Sequence, residues 1–260
     1  MPNLPKLPYR LDRSVIIQAP RENVFRFFTD TPRWAAWWGA GSKIDARPGG
    51  ALLIRYPDGT EGAGEILELE PPERMVFTYG FVKGEPIAAG SSRVTIRLEP
   101  HGLGTHLHLT HELPNESVRD EHIQGWRYQL ALFSNVVADE LHADAASVID
   151  TWFDAWAEPD AAAREAALRR VTEGDLRFQD RFGNTDGIDD LLPHIAAAQV
   201  HMPGLRLKRS GNVRHCQGTA LVEWIASSKD GQERARGTNV FVLGSTGRIR
   251  SVTGFWTAPR

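Results

Sequence analysis

The sequence predicts an α+β protein made of two consecutive domains, each with an antiparallel sheet and its own helices. In the first half, six β-rich stretches joined by short turns are followed by one long amphipathic helical stretch. In the second half the order is reversed, because helical stretches precede the strands. The 260 residues are enough for two domains of ordinary size. We therefore predict a first domain over residues 1–142 and a second over residues 143–260.

Short β-rich runs bounded by turn residues define the strands of the first half. Between the first two of these strands, Val24, Phe25 and Phe28 recur at helical spacing after Pro20. We therefore expect a short helix over residues 20–30. The predicted strands cover residues 13–19, 50–60, 63–70, 74–81, 91–100 and 104–113.

A long helix is expected to close the first half. It should start at Pro114 and Asn115, with Ser117 and Asp120 forming a capping box. Because its apolar stripe runs over about five turns, the helix needs a broad apolar surface to cover, and the antiparallel sheet supplies it. The stripe consists of Ile123, Trp126, Leu130, Phe133, Val137 and Leu141.

The second half is expected to begin with helices and to end with strands. The junction over residues 142–146 has no linker composition, so the helix that closes the first domain should run almost directly into the next helix. Pro193 should cause a local irregularity in its helix. The last predicted strand should fold as a hairpin around GSTG. The predicted helices cover residues 147–158, 160–172 and 187–200, and the predicted strands cover 204–214, 218–231 and 235–256.

Composition and charge exclude several classes of protein. The net charge of −3 gives no basic field for nucleic acid or anionic lipid. Cys216 is the only cysteine, so we expect no disulfide within the chain and no thiolate metal cluster. The N-terminal MPNLPKLPYRLD lacks the apolar core of a signal peptide, and no stretch is apolar enough to span a membrane. These observations predict a cytoplasmic protein with no metal, no cofactor and no nucleic-acid partner.

Strand alternation places one histidine of the first half among apolar neighbours. His111 shares a face with Leu109 and Leu113, which predicts a buried imidazole. Such a group either satisfies its hydrogen bonds within the core or contacts a ligand. His106 and His108 lie on the opposite face, where metal binding is a third alternative without an evident third ligand.

The second half contains three further polar candidates. Asp180 alternates with Phe178 and Phe182, so it is either a desolvated general base or a residue that caps a turn or pairs with a neighbouring arginine. Asn239 alternates with Phe241, where its amide either donates to a ligand oxygen or serves the core. His194 on the predicted helix 187–200 either approaches the same space or is structural.

Residues 12–142 resemble the SRPBCC superfamily, in the branch of the C-terminal domain of the activator of heat-shock-protein-90 ATPase. The matching stretches are APRENVFRFFTDTPRWAAWWG, GEILELEPPERMVFTYGF, SRVTIRLEPHGLGTHLHLTHE and GWRYQLALFSNV. The resemblance implies a helix-grip fold, in which a curved sheet wraps a long helix and leaves a cavity for apolar molecules. It also places the tryptophan segment, residues 29–41, beside the cavity mouth. The expected ligand-binding residues are Trp34, Trp37, Trp38, His111 and Trp126, with core packing as the alternative for at least two of the three tryptophans of the segment.

Residues 145–257 resemble the nuclear transport factor 2-like superfamily, in its SnoaL-like branch. The matching stretches are WFDAWAEPDAAARE, LRFQDRFGNTDGIDDLLPHIAAAQ, MPGLRL and GTNVFVLGSTGRIRSVTGFW. The resemblance implies a cone-shaped α+β barrel that closes around an apolar pocket. The expected ligand-binding residues are Trp152, Phe178, His194 and Phe241.

The same resemblance suggests catalytic roles for two residues. Asp180 falls where ketosteroid isomerases have their general-base aspartate, and Asn239 falls where they have an oxyanion-hole aspartate. The oxyanion-hole tyrosine falls near Trp152, which supplies no phenol, so half of the oxyanion hole is missing. This departure disfavours steroid isomerisation and leaves proton transfer on another substrate open.

Three functions follow as hypotheses. The first is a two-domain binder of small apolar molecules that are lipid-, polyketide- or steroid-like. A role in the stress response is one context for such a binder. The second is a cyclase, isomerase or hydratase with Asp180 as base. The third is a co-chaperone-like interaction protein that docks through the tryptophan segment. By analogy with the second superfamily, we also expect a homodimer through residues 204–256.

Overall fold

The computed structural model describes residues 6–257. Predictions that concern residues 1–5 and 258–260, including part of the N-terminal sequence tested for a signal peptide, lie outside the described residues. The chain divides into two compact units, Met1–Ala138 and Asp139–Arg260. The predicted boundary between residues 142 and 143 stays a prediction.

The first unit is built on a seven-stranded sheet whose neighbouring strands are all antiparallel. Its order is β1-β7-β6-β5-β4-β3-β2. The sequence predicted six of these strands and missed the two-residue β2. The strands are β1 (Tyr9–Ile17), β2 (Lys43–Ile44), β3 (Ala51–Arg55), β4 (Glu61–Glu70), β5 (Arg74–Tyr79), β6 (Ser92–His101) and β7 (Gly104–Leu113).

Three helices accompany this sheet: α1 (Arg21–Arg26), α2 (Thr31–Trp38) and the long α3 (Glu116–Leu141). Asp30 caps α2, because its side chain accepts a hydrogen bond from the backbone N–H of Arg33. The predicted Ser117–Asp120 capping box of α3 is wrong. Instead, the side-chain oxygen of Asn115 accepts from the backbone N–H of Val118 at 2.9 Å.

The second unit has three helices and a six-stranded open sheet. The sheet order is β10-β11-β12-β13-β8-β9, so β10 and β9 form its edges, and only the β13–β8 pair is parallel. The elements are α4 (Ala145–Ala157), α5 (Ala161–Val171), β8 (Thr172–Gln179), β9 (Asn184–Asp186), α6 (Ile188–His201), β10 (Arg206–Cys216), β11 (Thr219–Ser227), β12 (Glu233–Leu243) and β13 (Ile249–Thr257).

Several local predictions for this unit are confirmed. The hairpin around GSTG pairs Leu243 with Ile249. Helix α4 starts at Ala145, shortly after α3 ends at Leu141, as the absence of a linker predicted. The irregularity predicted at Pro193 is not seen, because α6 continues through this residue without a break. The chain is therefore an α+β protein with two large sheets and, within residues 6–257, six helices.

The burial pattern follows the period of each element. Along β7, alternate residues are buried, and His111 lies on the buried face with Leu109 and Leu113, as alternation predicted. Within the described residues, no helix is both long and apolar enough to cross a membrane.

Candidate ligand cavity of the first unit

A cavity of about 450 Å³ lies between α3 and the sheet of the first unit. The side chains of Trp38, Tyr79, Trp126 and Gln129 form its buried walls. Its rim is exposed, and includes Asp58, Glu121 and Tyr128. Apolar walls with a few polar groups are typical of sites for small molecules.

The cavity exists because aromatic side chains stand between the helix and the strands. From α3, His122, Trp126 and Gln129 project on one face, at intervals of four and three residues. Tyr79 at the end of β5 and Phe81 just after it approach from the sheet. The Tyr79 and His122 rings are nearly perpendicular, with centroids 6.0 Å apart.

His111 lies behind this wall in a chain of hydrogen bonds whose direction is fixed. The indole N–H of Trp126 donates to Nδ1 of His111 at 3.0 Å, so this nitrogen is unprotonated. Nε2 lies 2.8 Å from the Ser92 hydroxyl, which itself donates to the carbonyl of Tyr79 at 2.9 Å. The imidazole is therefore neutral and protonated at Nε2. Burial, with a smaller contribution from the charge of His122, lowers the pKa of His111 to about 3.

His122 presents the opposite tautomer at the cavity. Its Nδ1 lies 2.7 Å from the carbonyl of Val118, one turn earlier in α3. Since a carbonyl only accepts, Nδ1 carries the proton and Nε2 of the neutral ring is an acceptor. Burial lowers the pKa of His122, against opposing effects of the Val118 hydrogen bond and the charge of Glu121.

Two tyrosines add a donor to the cavity, and Trp38 adds an apolar ring surface. The hydroxyls of Tyr56 and Tyr79 are 2.7 Å apart, so one donates to the other and a second O–H remains available. Burial raises the pKa of Tyr56 to about 12 and that of Tyr79 further, so both stay neutral. Trp38 lines the cavity and is 4 % exposed, and its indole nitrogen has no hydrogen-bond partner among the described residues.

The charge around the cavity is negative. Asp58 and Glu121 line it, and no lysine or arginine within residues 6–257 does. The two carboxylates disfavour an anionic ligand because like charges repel, and Lys83 offsets only the charge of Asp58.

The predicted site residues of this unit divide into two groups. Trp38 and Trp126 line the cavity, whereas His111 supports Trp126 from behind. Trp34 and Trp37 are core residues, because their exposed fractions are 0 % and 2 % and their indole N–H groups donate to the carbonyls of Leu53 and Phe27. The prediction that the tryptophan segment forms an exposed docking surface is therefore wrong.

In the second unit, the predicted pocket residues pack on one another. Trp152 contacts Phe178 and Phe241, with ring centroids 6.0 Å and 6.2 Å apart, and all three are buried. His194 packs between Trp156 and Phe178, with centroids at 5.9 Å and 5.6 Å. A Cβ on Gly183 would lie 2.5 Å from the imidazole of His194, so this glycine is required for the close approach. The predicted pocket residues of the second unit therefore pack in its core.

Asp180 differs from its predicted setting. Strand β8 ends at Gln179, and Phe182 is 60 % exposed instead of sharing a buried face with Phe178. One oxygen of Asp180 accepts from the backbone N–H groups of Phe182 and Gly183, and the other accepts from Trp256 at 3.1 Å. The turn-capping alternative therefore describes its contacts.

Asn239 is close to Asp180, but its side chain forms a hydrogen bond within the sheet. Its side-chain oxygen accepts from the indole of Trp224 at 2.8 Å, and its exposed fraction is 6 %. A Cβ on Gly254 would lie 3.1 Å from Asp180 and 3.2 Å from Asn239, so the two flank this glycine. Asp180 and Gly254 line an open surface groove, and Asn239 is not among the residues that line it.

Sequence reasoning missed the main polar residues of the cavity. The missed residues are His122, Tyr56, Tyr79 and Gln129. His122 stands four residues before Trp126, so helical spacing could have placed it on the same face. Tyr56 lies in the turn after β3, where no periodic pattern indicates which way a side chain points.

The fold and the cavity define a class: an α+β protein whose first unit packs an antiparallel sheet against one long helix around an aromatic cavity. Residues 18–138 match the family model described as activator of Hsp90 ATPase homolog 1-like protein. This match supports the SRPBCC-like resemblance over those residues. Among the curated proteins compared with this chain, none matches. Within residues 6–257, no group of three or more His, Cys, Asp or Glu side chains could hold a metal ion.

Several solved structures are similar to parts of the chain. A SnoaL-like family protein from Agrobacterium tumefaciens is 27% identical, over 46% of this chain and 99% of its own, with a TM-score of 0.42. CalU16 from Micromonospora echinospora is 28% identical, over 48% of this chain and 75% of its own, with a TM-score of 0.41. The Aha1 dimer from Colwellia psychrerythraea is 15% identical, over 47% and 90%, with a TM-score of 0.42. These TM-scores are low, so the similarities assign no activity.

Proposed function

We propose that the first unit binds one small, neutral and largely apolar molecule in the cavity between α3 and the sheet. The observation that carries the proposal is the cavity of about 450 Å³, whose walls are aromatic side chains. A ligand that buries apolar surface there gains about 25 cal/mol for each Å² removed from water. The carboxylates of Asp58 and Glu121 favour a neutral molecule over a fatty acid or a phosphate ester.

The hydrogen-bonding groups explain how such a molecule would be oriented. One O–H of the Tyr56–Tyr79 pair is a donor, and Nε2 of His122 is an acceptor. A few polar groups in an apolar cavity fix orientation and provide specificity, while burial provides most of the affinity. In the second unit, Phe178 and Phe241 both pack on Trp152 and all three side chains are buried, so the proposal is restricted to the first unit.

Gly125 offers a direct test, because it lines the cavity on α3 and a Cβ there would meet no atom within 4 Å. Gly125→Trp should fill the mouth and abolish binding of 2-methoxynaphthalene, a neutral aromatic probe, in calorimetric titration of the full chain. Gly125→Ala is the matched control, since one methyl group leaves the cavity open and also favours the helix.

The result expected is micromolar binding by the wild type and by Gly125→Ala, with none by Gly125→Trp. Thermal unfolding of all three chains checks that the substitution at an exposed position leaves the fold intact. If the wild type does not bind the probe, or if Gly125→Trp binds it equally well, the proposal is wrong.

A further inference from the structure

Nε2 of His122 is a hydrogen-bond acceptor in the half-buried wall of the cavity, whereas the acceptor carboxylates of Asp58 and Glu121 lie at the exposed rim. The Val118 carbonyl, 2.7 Å from Nδ1, keeps the proton on that nitrogen. No described residue forms a hydrogen bond with Nε2. The ring is half-buried and lines the cavity, and since Nδ1 faces its own helix, Nε2 is the ring nitrogen that a ligand can meet.

The surroundings of His122 indicate what kind of group should meet Nε2. Tyr79 and Phe81 contact the imidazole ring, with centroids 6.0 Å and 6.2 Å away. Trp38 and Trp126 stand nearly edge to face, 5.8 Å apart, in the same walls. These aromatic surfaces favour a flat ring in the ligand, because offset and edge-to-face contacts stabilise aromatic pairs beyond simple burial.

We propose that the cavity selects neutral aromatic molecules that carry a ring hydroxyl, with this O–H donating to Nε2 of His122. The inference rests on the proposed function and specifies its ligand class. A ring without the hydroxyl would bury Nε2 unpaired, and an unpaired buried acceptor is costly. Asp58 and Glu121 disfavour ionisation of the ligand, so the hydroxyl keeps the proton that it donates.

A matched pair of probes tests this selection. 2-Naphthol and 2-methoxynaphthalene have the same ring system, but only the first can donate a hydrogen bond. At pH 8, where both the imidazole and the naphthol are neutral, calorimetric titration of the full chain should give an affinity for the naphthol about tenfold higher. His122→Phe should reduce this ratio to near one, because it keeps an aromatic ring and removes the acceptor.

The control variant is His106→Phe, whose histidine lies in β7 on the face opposite the buried His111. It should keep the tenfold preference of the wild type. A nuclear magnetic resonance measurement on the wild-type chain, labelled with ¹⁵N-histidine, adds a readout that does not depend on folding of a variant. The Nε2 resonance of His122 should move upfield when 2-naphthol binds and should not move in that direction with the ether.

The outcomes separate the two proposals. Equal affinity of the wild type for both probes overturns the hydroxyl selection and leaves the proposed function in place. A preference that persists in His122→Phe, or a stationary Nε2 resonance, overturns the role of His122. If neither probe binds, both proposals fail.

Discussion

The three tryptophans of the segment 29–41 show how neighbouring residues of one type acquire different roles. Trp34 and Trp37 have backbone carbonyls as acceptors for their indole N–H groups, at 3.2 Å each. Trp38, next in the chain, lines the cavity and has no such partner among residues 6–257. A substitution at Trp37 therefore removes a structural hydrogen bond, whereas a substitution at Trp38 does not.

This difference predicts unequal costs for the same substitution. Trp37→Phe and Trp38→Phe remove similar volume, but only the first leaves an acceptor, the carbonyl of Phe27, without its donor. We expect Trp37→Phe to lower the free energy of unfolding by about 1–2 kcal/mol more than Trp38→Phe. Urea unfolding followed by circular dichroism measures the difference. Equal losses would mean that the indole hydrogen bond contributes nothing.

His111 predicts a specific dependence of stability on pH. Its pKa is about 3 in the folded chain against an ordinary value of 6.5. The unfolded chain therefore binds a proton that the folded chain does not, between these two values. Stability from this group is complete above pH 6.5 and declines as the pH falls toward 3.

From pH 7 to pH 5, His111 should account for a loss of about 2 kcal/mol in the free energy of unfolding. His111→Gln keeps a donor and an acceptor but does not titrate, so the variant should lose about 2 kcal/mol less over this interval. Urea titrations of both chains at the two pH values give the comparison. The same loss in both would show that His111 is not held neutral.

At the scale of elements, the start of α3 is where sequence and structure disagree most clearly. The sequence pattern favours Ser117 with Asp120, whereas the structure gives the cap to Asn115. Both choices are local and chemically reasonable, since serine and asparagine are good capping residues. The backbone path that leaves β7 decides between them, because it determines which side chain faces the free N–H groups.

The cap can be tested with two alanine substitutions. Asn115→Ala should lower the free energy of unfolding by about 1 kcal/mol, because the N–H of Val118 loses its acceptor. Ser117→Ala is the matched control and should change it by less than about 0.5 kcal/mol, because the hydroxyl of Ser117 donates to the exposed carboxylate of Glu121 and not to the helix backbone. A larger loss of stability for Ser117→Ala than for Asn115→Ala would support the predicted capping box and contradict the Asn115 cap. Chemical denaturation under identical conditions is sufficient for both.

For the whole molecule, the homodimer through residues 204–256 stays a prediction. Val242 and Phe255 lie on strands β12 and β13 and are 37 % and 56 % exposed, so this sheet presents apolar side chains to solvent. We expect the wild type to sediment as a dimer at micromolar concentration and Val242→Glu to shift it toward monomer. Val200→Glu, on α6, is the control at another exposed valine. A wild type that sediments only as monomer would contradict the prediction.

The sequence by itself determined the α+β class, the order of most elements and the burial of His111, but it missed β2 and did not place β8 and β9 between α5 and α6. These features follow from local periodicity, since strands alternate every second residue and helices every three or four. Prediction from local periodicity fails at Asp180. A turn ends β8 just before this residue, so the alternation that suggested a buried carboxylate does not continue.

Only the tertiary structure decided which large side chains fill the core and which enclose a cavity. Tyr56 and Tyr79 meet across 23 residues of sequence, and Trp126 meets His111 across 15. No local pattern encodes such contacts, because they depend on how far α3 stands from the sheet. That distance is set by the packing of aromatic side chains contributed by helices and strands that are distant in sequence.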